Sequence, residues 1–481
     1  MDKEKLTNRS LTRRSFLTIV AGSAVGLAAA ACAQPSAPAA PAATKPPAAA
    51  PTTAPAAPAA TKAAPAAAPT TAAPAQLKGV TINFLTWANF VPASDDVLKQ
   101  LTDEWGKQSG ATVKIEIINQ NDLQAKSTAA VQAGSGPDLI MMRHNWPYLY
   151  ESGLVDVSDV AEELGNQYGG YYPDQLANNK VNGKWRAVPF NGLPNAYVYR
   201  TDVLKEVTGS DKFPDTYDDL LKVGEQVKKA KGMAIGEAHG HAINDANSCS
   251  YVDMWAFGGM EVKQDGKTVA INSPETIASI DWIVKSWKPA FDETGLGWDD
   301  SSNNRAYMAN EIWATNNGAS IYLAARDDTS DQKEAMHQMA ANSAHAANPK
   351  GPGGRYHYHV TNCLAILSYS KNIPAVKEYI KYLMSKDVYH KWLLSTKGFH
   401  TGPTKFWEKD SVWDIDPKMA IFRDIGQYGR VPGYAASPSK QASEAMSKFI
   451  VVDMYAKALT GMSSKDAAAW AEGEFKKSYA A

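Results

Sequence analysis

Between residues 80 and 142 two hydrophobic periods alternate, and that alternation restricts the fold to a parallel α/β architecture. Val80, Ile82 and Phe84 recur at every second position and predict a strand ending near Trp87. Ser94 is the expected N-cap of a helix whose apolar stripe is Val97, Leu98, Leu101 and Trp105. Val113, Ile115 and Ile117 alternate again as a second strand. A helix over 123–133 should stop at Gly134, and 138–142 form a third short strand. Strands separated by helices pair in parallel, and such sheets bind ligands beyond the carboxyl ends of their strands.

Some 400 residues follow position 78, more than one core normally supports, so two lobes are expected. Asn182-Gly183 marks a tight hairpin. Helical patterns dominate later, over 373–385, 388–395, 443–459 and 464–477, and no internal repeat is found.

The first 76 residues have a different character. Arg13-Arg14 precede an apolar, Gly- and Ala-rich run over 16–31, the pattern of a twin-arginine export signal. That run is shorter than the roughly 20 residues a membrane-spanning helix needs. It ends at Ala29-Ala30-Ala31-Cys32, which resembles a lipobox in which Cys32 is lipidated. Ala29 stands where such a box usually has Leu, and simple cleavage after the alanines is the alternative. Residues 33–76 are almost wholly Ala, Pro and Thr, a composition that cannot bury a core and reads as a disordered spacer. The whole chain carries a net charge of −1, while the leader and spacer are both positive. The remainder is therefore mildly acidic, which argues against nucleic-acid binding. Cys249 and Cys363, far apart in sequence, read as two buried thiols.

A series of modest motifs then runs in one order along residues 78–481. It comprises Gly134-Ser-Gly-Pro-Asp138 with Ser152-Gly-Leu154, Asn182-Gly183-Lys184 leading to Pro189, and Tyr197-Val-Tyr199-Arg-Thr-Asp202. Pro214-Asp-Thr216-Tyr217-Asp218, Asn272-Ser-Pro-Glu275, Gly353-Gly354 and Ser370-Lys-Asn372 continue it. In this order the chain resembles the sugar-type extracellular solute-binding proteins of ABC importers. Arg200 and Tyr217 depart from the family's usual Asn and Trp.

The resemblance implies two α/β lobes assembled from discontinuous segments, 78–189 with 362–428 and 190–361 with 429–481. Crossings are implied near 189–191, 361–364 and 429–433. It implies hinge closure on a small polar solute, foremost a carbohydrate, with permease subunits as partners. No cofactor, no metal and no catalytic group is implied, and the chain would act as a monomer tethered to the membrane by lipid.

Candidate contacts are residues past strand ends and beside crossings. Trp87 and Asn89 follow the first strand, with Trp87 either stacking on a sugar or packing inside. Asp122 follows the second strand and serves equally as a contact or a helix cap. Arg143, His144, Asn145 and Trp146 follow the third. Asn191 adjoins the first crossing, His359 and Thr361 the second, Tyr434 the third. Trp255 precedes Gly258, with core packing as its alternative, and Asn317 with Tyr322 match a cleft loop of the second lobe.

The pairs His239/His241 and His357/His359 could each present two imidazoles on one strand face, Glu237 adding a carboxylate to the first. Polar residues lining a cleft or a wet sheet face are the simpler reading. Competing functions are the same fold holding a polyamine, phosphate ester or peptide, and an exported glycoside hydrolase. No nucleophile elbow, phosphate loop or His-Glu-x-x-His is present.

Overall fold

The computed structural model describes residues 77–425 and 429–480. The export signal at Arg13 and Arg14, the lipidation site at Cys32 and the spacer lie outside the described residues.

β1 (Thr81–Trp87) runs parallel to β2 (Thr112–Ile118) on one side and to β3 (Leu139–Arg143) on the other. β4 (Lys180–Val181) and β5 (Lys184–Trp185) form the expected hairpin, with φ of 51° at Asn182 and 80° at Gly183, both in the left-handed region such a two-residue turn demands. The remaining strands are β6 (Val188–Pro194), β7 (Ala196–Arg200), β8 (Ala234–Gly236), β9 (Ile312–Asn317), β10 (Ser343–Ala346), β11 (His357–Ile366) and β12 (Gly429–Arg430).

Apart from the β4–β5 hairpin the strands build two sheets, and both are mixed where a parallel architecture was expected. β11 runs antiparallel to β3 and β6, and β7 runs antiparallel to β9 and β10. These strands follow one another without the intervening helix that a parallel crossover needs, or pair across distant chain segments. The first has the order β12-β11-β3-β1-β2, with β6 also paired to β11; the second has the order β10-β7-β9-β8. Helices cover both. The chain passes from the first sheet to the second at Asn195, the single residue between β6 and β7, and returns over 347–356. These passages are displaced from 189–191 and 361–364. The antiparallel strands β6 and β11 keep pairing through those positions, with Asn362 opposite Asn191 and Cys363 opposite Pro189. The chain leaves the first sheet again after Arg430, where Gly433 N donates to Glu261 Oε1 at 2.9 Å.

Local sequence explains the elements that frame the site. The helix Pro92–Ser109 buries Leu98, Leu101 and Trp105, as its stripe requires, and ends at Gly110 with φ 78°. It begins at Pro92, whose ring fixes φ and whose missing N–H costs nothing at a helix start. Ser94 is therefore inside the helix and is not its cap; its Oγ donates to Val91 O at 2.8 Å. The helix Gln120–Ala133 starts three residues earlier than its apolar pattern indicated, because the Asn119 side chain accepts from Asn121 N and caps it. That start puts Gln120 in the first turn, at the carboxyl end of β2. Burial of each large core side chain such as Phe84, Leu101 or Tyr379 stabilises by about 1.5–3 kcal/mol. Cys249 and Cys363 are both buried free thiols.

Candidate functional site

The strand ends of the two sheets face one another across a narrow cleft. From the first sheet come Phe90, just past β1, and Arg143, the last residue of β3. The passing strands supply Leu193 and Val360, and the link between β6 and β7 supplies Asn195. From the second sheet's half come Asn244 and Asp245 at the start of the helix Asp245–Phe257, Asp300, Asn317 at the end of β9, and Gly318 and Ser320 just beyond it. Phe399 completes the lining, its ring edge-on to Phe90 with centroids 6.3 Å apart. Aromatic and aliphatic walls with a few placed polar groups are the make-up of a small-molecule site.

The polar groups form one network. Gln120 Oε1 accepts from Arg143 Nη1 at 2.7 Å and from Asn244 Nδ2 at 2.9 Å, joining the two halves directly. Asp300 accepts from Asn244 N, Asn244 Nδ2 and Asp245 N at 2.7–3.0 Å. Asn317 accepts from Ser320 Oγ at 2.9 Å. Two charged groups on the lining keep unused capacity: Arg143 Nε and Asp245 Oδ2 are buried without a hydrogen-bond partner among the described residues. Buried polar atoms of this kind are normally satisfied, so both are poised for a ligand.

The cleft is electrically balanced. Burial lowers the Arg143 guanidinium to about 10, which leaves it cationic at neutral pH. Burial and the facing Asp300 push the Asp245 carboxyl well above the ordinary carboxylate range. Burial raises the Asp300 carboxyl as well, but the hydrogen bonds donated by Asp245 N and Asn244 and the charge of Arg143 oppose that rise, so Asp300 is the member of the pair that gives up its proton first. One positive and one negative charge remain. His144 is depressed to about 3 by burial and by Arg143, so it is neutral.

The expected contacts divide accordingly. Arg143 and Asn317 line the cleft. Trp87 is 2 % exposed and its face is already covered by the Arg143 guanidinium at 4.4 Å, so it supports Arg143 and offers no open stacking surface. Asn89 turns away to His400 Nε2 at 2.7 Å. His144, with φ 52°, is held by Thr361, whose carbonyl accepts from His144 N at 2.8 Å. Asn145 and Trp146 are fully buried behind it, and Asn145 O accepts from Ser443 Oγ at 2.7 Å. Asn191 bonds Asn362 between the passing strands at 2.6 Å.

Asp122 is exposed on the first turn of its helix, away from the cleft; Gln120, two residues earlier, faces inward instead. Trp255 packs inside, stacked on Tyr358 at 6.1 Å with Tyr434 edge-on to it. The Tyr322 hydroxyl is tied to Asp416 at 2.7 Å. His359 contacts the Asp174 carboxylate beyond the passing strands. The first His-x-His pair is split, His241 being exposed and stacked on Phe449; His357 and His359 both lie in β11, but His357 bonds Asn195 O at 3.1 Å while His359 meets Asp174. β8 ends at Gly236, so residues 239 and 241 do not share a strand face.

Phe90, Asn195, Asn244, Asp245, Asp300 and Phe399 escaped sequence reasoning. Phe90 obeys the same strand-end rule as Asn89, so a signal existed. Asp300 and Phe399 reach the cleft only through tertiary packing. A larger surface hollow is lined by Tyr168, Phe406 and Trp407, none of which stands at a strand end.

A model of the bacterial extracellular solute-binding protein family matches residues 100–421, and the chain belongs to that family. Its members are binding proteins that work outside the cytoplasm, and the fold is their two-lobed α/β fold. A probable ABC transporter-binding protein of Deinococcus radiodurans is 24% identical over 406 residues, 81% of this chain and 93% of that protein. The maltotriose-binding protein of Pyrococcus abyssi is 25% identical over 206 residues, 42% of each chain. Among solved structures, T. maritima MalE3 with maltose bound superposes with a TM-score of 0.71 at 22% identity, covering 83% of this chain and 100% of that one.

Proposed function

We propose that this chain is the receptor component of an ABC importer, capturing a neutral mono- or oligosaccharide between its lobes and delivering it to membrane permease subunits. The observation that carries the reading is the electrically balanced cleft. Arg143 and ionised Asp300 offset one another, and protonated Asp245 offers a donor and an acceptor to hydroxyl groups. Phe90 and Phe399 offer apolar surface to sugar C–H faces. The names of the maltotriose-binding and maltose-bound relatives support the same solute class.

Capture works by hinge motion at Asn195 and 347–356. The cavity offers about 30 Å³ here, too little for a sugar ring, and Gln120 already bonds Asn244 across the halves. The lobes separate to admit solute, which then bridges them in place of part of this network. No covalent step is involved, and the chain acts as a monomer without catalytic activity. The twin-arginine signal at Arg13 and Arg14 exports it folded, and lipid on Cys32 with the Ala/Pro/Thr spacer holds it near its permease.

Asp245 and Asp300 facing one Arg also favour a second reading, an amine-bearing solute that would draw the second carboxylate into ionised form. Thermal unfolding against sugars, polyols and polyamines separates the two. A ligand at about 100 times its Kd stabilises by about 2.7 kcal/mol and raises Tm by several degrees. If no neutral sugar shifts the melt and an amine does, the carbohydrate reading falls. The mass of the native N-terminus tests the lipid.

A further inference from the structure

Sequence spacing grouped Glu237 and His239 with His241, with polar lining as the simpler reading; in the structure His241 turns away, and Asp253 converges with the other two outside the cleft, in the interior of the second lobe. Glu237 and His239 follow the carboxyl end of β8, and Asp253 sits in the middle of the helix Asp245–Phe257. All three are buried, at 3 %, 1 % and 3 % exposure. One ligand atom from each lies within 4.8 Å of the other two. We infer that Glu237, His239 and Asp253 form a buried site for a divalent transition metal of zinc-like preference.

The hydrogen bonding has the form a metal site requires. Glu237 Oε2, His239 Nε2 and Asp253 Oδ2 have no hydrogen-bond partner among the described residues. The other polar atom of each side chain is held from behind. The Tyr197 hydroxyl donates to Glu237 Oε1, the Tyr217 hydroxyl donates to Asp253 Oδ1 at 2.8 Å, and Ser250 Oγ meets His239 Nδ1 at 3.4 Å. Metal ligands are characteristically oriented in this way by a second layer that leaves the coordinating atom free.

Charge and distance agree. Among the described residues no lysine or arginine pairs with either carboxylate, and the one ion-pairing contact is His239 Nε2 to Glu237 Oε2 at 3.5 Å. Two facing carboxylates in the protein interior are strongly unfavourable unless a cation or a shared proton intervenes. Tetrahedral zinc, with bonds of roughly 2.0–2.1 Å, sets neighbouring ligand atoms about 3.3 Å apart. One imidazole and two carboxylates suit zinc, whereas calcium calls for roughly six to eight oxygens. Bound there, the ion pins the end of β8 to the helix whose first turn places Asp245 in the cleft. This inference stands apart from the identity of the solute.

The site is sealed, so metal enters as the chain folds. The experiment is elemental analysis of the full mature chain purified from zinc-supplemented medium, followed by unfolding in chelator and refolding with or without zinc chloride. About one equivalent of metal per chain is expected as purified. Refolding with zinc should give a Tm several degrees above refolding with chelator. The near-isosteric double variant Glu237→Gln with Asp253→Asn should hold below about a tenth of an equivalent and show no response to zinc. A wild-type chain that holds less than that, with the same Tm in zinc and in chelator, overturns the site in favour of a proton shared by the carboxylates. A double variant that keeps the wild-type metal content overturns it as well. Should the double variant fail to fold, the wild-type comparison decides, with cobalt refolding and its visible absorption as the second readout. Metal content is read without any solute, so failure here and failure of the carbohydrate reading are separate results.

Discussion

Asn244 Nδ2 donates to Gln120 Oε1 at 2.9 Å, a single hydrogen bond that joins the first turn of a helix under one sheet to the helix start under the other. The same Gln120 oxygen accepts from Arg143 Nη1 at 2.7 Å. Gln120 therefore both ties the two halves and fixes the arginine of the cleft, alongside other bonds such as Gln124 Nε2 to Ser447 Oγ at 2.6 Å and the Tyr322 hydroxyl to Asp416 at 2.7 Å. Gln120→Ala leaves two buried donors without an acceptor, at a cost of about 1–3 kcal/mol to the closed form. The variant should be more open without solute, read as a larger radius of gyration in solution scattering. Unchanged scattering would argue that Gln120 does not hold the lobes.

Arg143 combines a charge, a hydrogen bond to Gln120 and a planar contact with Trp87 at 4.4 Å. Losing a charge-assisted bond costs about 1.5–3 kcal/mol, so Arg143→Ala should weaken solute binding by roughly 10- to 150-fold in calorimetry. Arg143→Lys should restore little of it, because a single ammonium cannot stack on the indole and reach Gln120 together. Full recovery by lysine would reduce the role of Arg143 to charge alone.

His400 is buried against Trp87, with its Nε2 bonded to the Asn89 amide, and burial together with Arg143 lowers it to about 3. The unfolded chain takes up this proton below about pH 6.5, while the folded chain refuses it until about 3. Between those limits the unfolded state binds more protons, so the contribution is whole above pH 6.5 and is lost progressively as pH falls. It amounts to about 2 kcal/mol lost by pH 5. The stability difference between wild type and His400→Gln, measured by urea unfolding, should shrink by that amount between pH 7 and pH 5. A difference constant with pH would mean that His400 is not held neutral.

Gly192 lies in β6 with its backbone paired to Thr401 at 3.0 and 2.9 Å. A Cβ there would press on the His359 ring and stand 2.7 Å from Thr401 Oγ1. Gly192→Ala should destabilise by about 1–3 kcal/mol through overpacking of the passing strands. Chemical denaturation measures it; a neutral effect would show that β6 and β11 yield easily at this point.

The framework was legible in the sequence where local rules suffice. The alternation at Val80, Ile82 and Phe84, the stripe through Leu98 and Leu101, and the Asn182-Gly183 turn each name their element without help from distant residues. Helix starts were less legible, since Pro92 and Asn119 act through backbone geometry that the apolar pattern does not carry. Of the site, Arg143 and Asn317 were within reach because each ends a strand. Trp87 met the same rule, but whether its face stays open depends on Arg143, and strand position does not encode that.

The sequence by itself determined the α/β class, the parallel pairing of β1 with β2 and β3, the two-lobed family and the strand ends at which chemistry gathers, because periodicity and turn residues act over short stretches of chain. The antiparallel pairs of β7 and β11 carry no such local signal. Tertiary structure alone decided which side chains meet: Gln120 with Asn244, Asp245 with Asp300, and Glu237 and His239 with Asp253. These partners lie between 14 and 124 positions apart (His239 with Asp253 and Gln120 with Asn244 are the extremes). No local propensity records such encounters. They arise from the way two buried sheets bring their strand ends and covering helices together, and burial then sets the charge of each group that arrives.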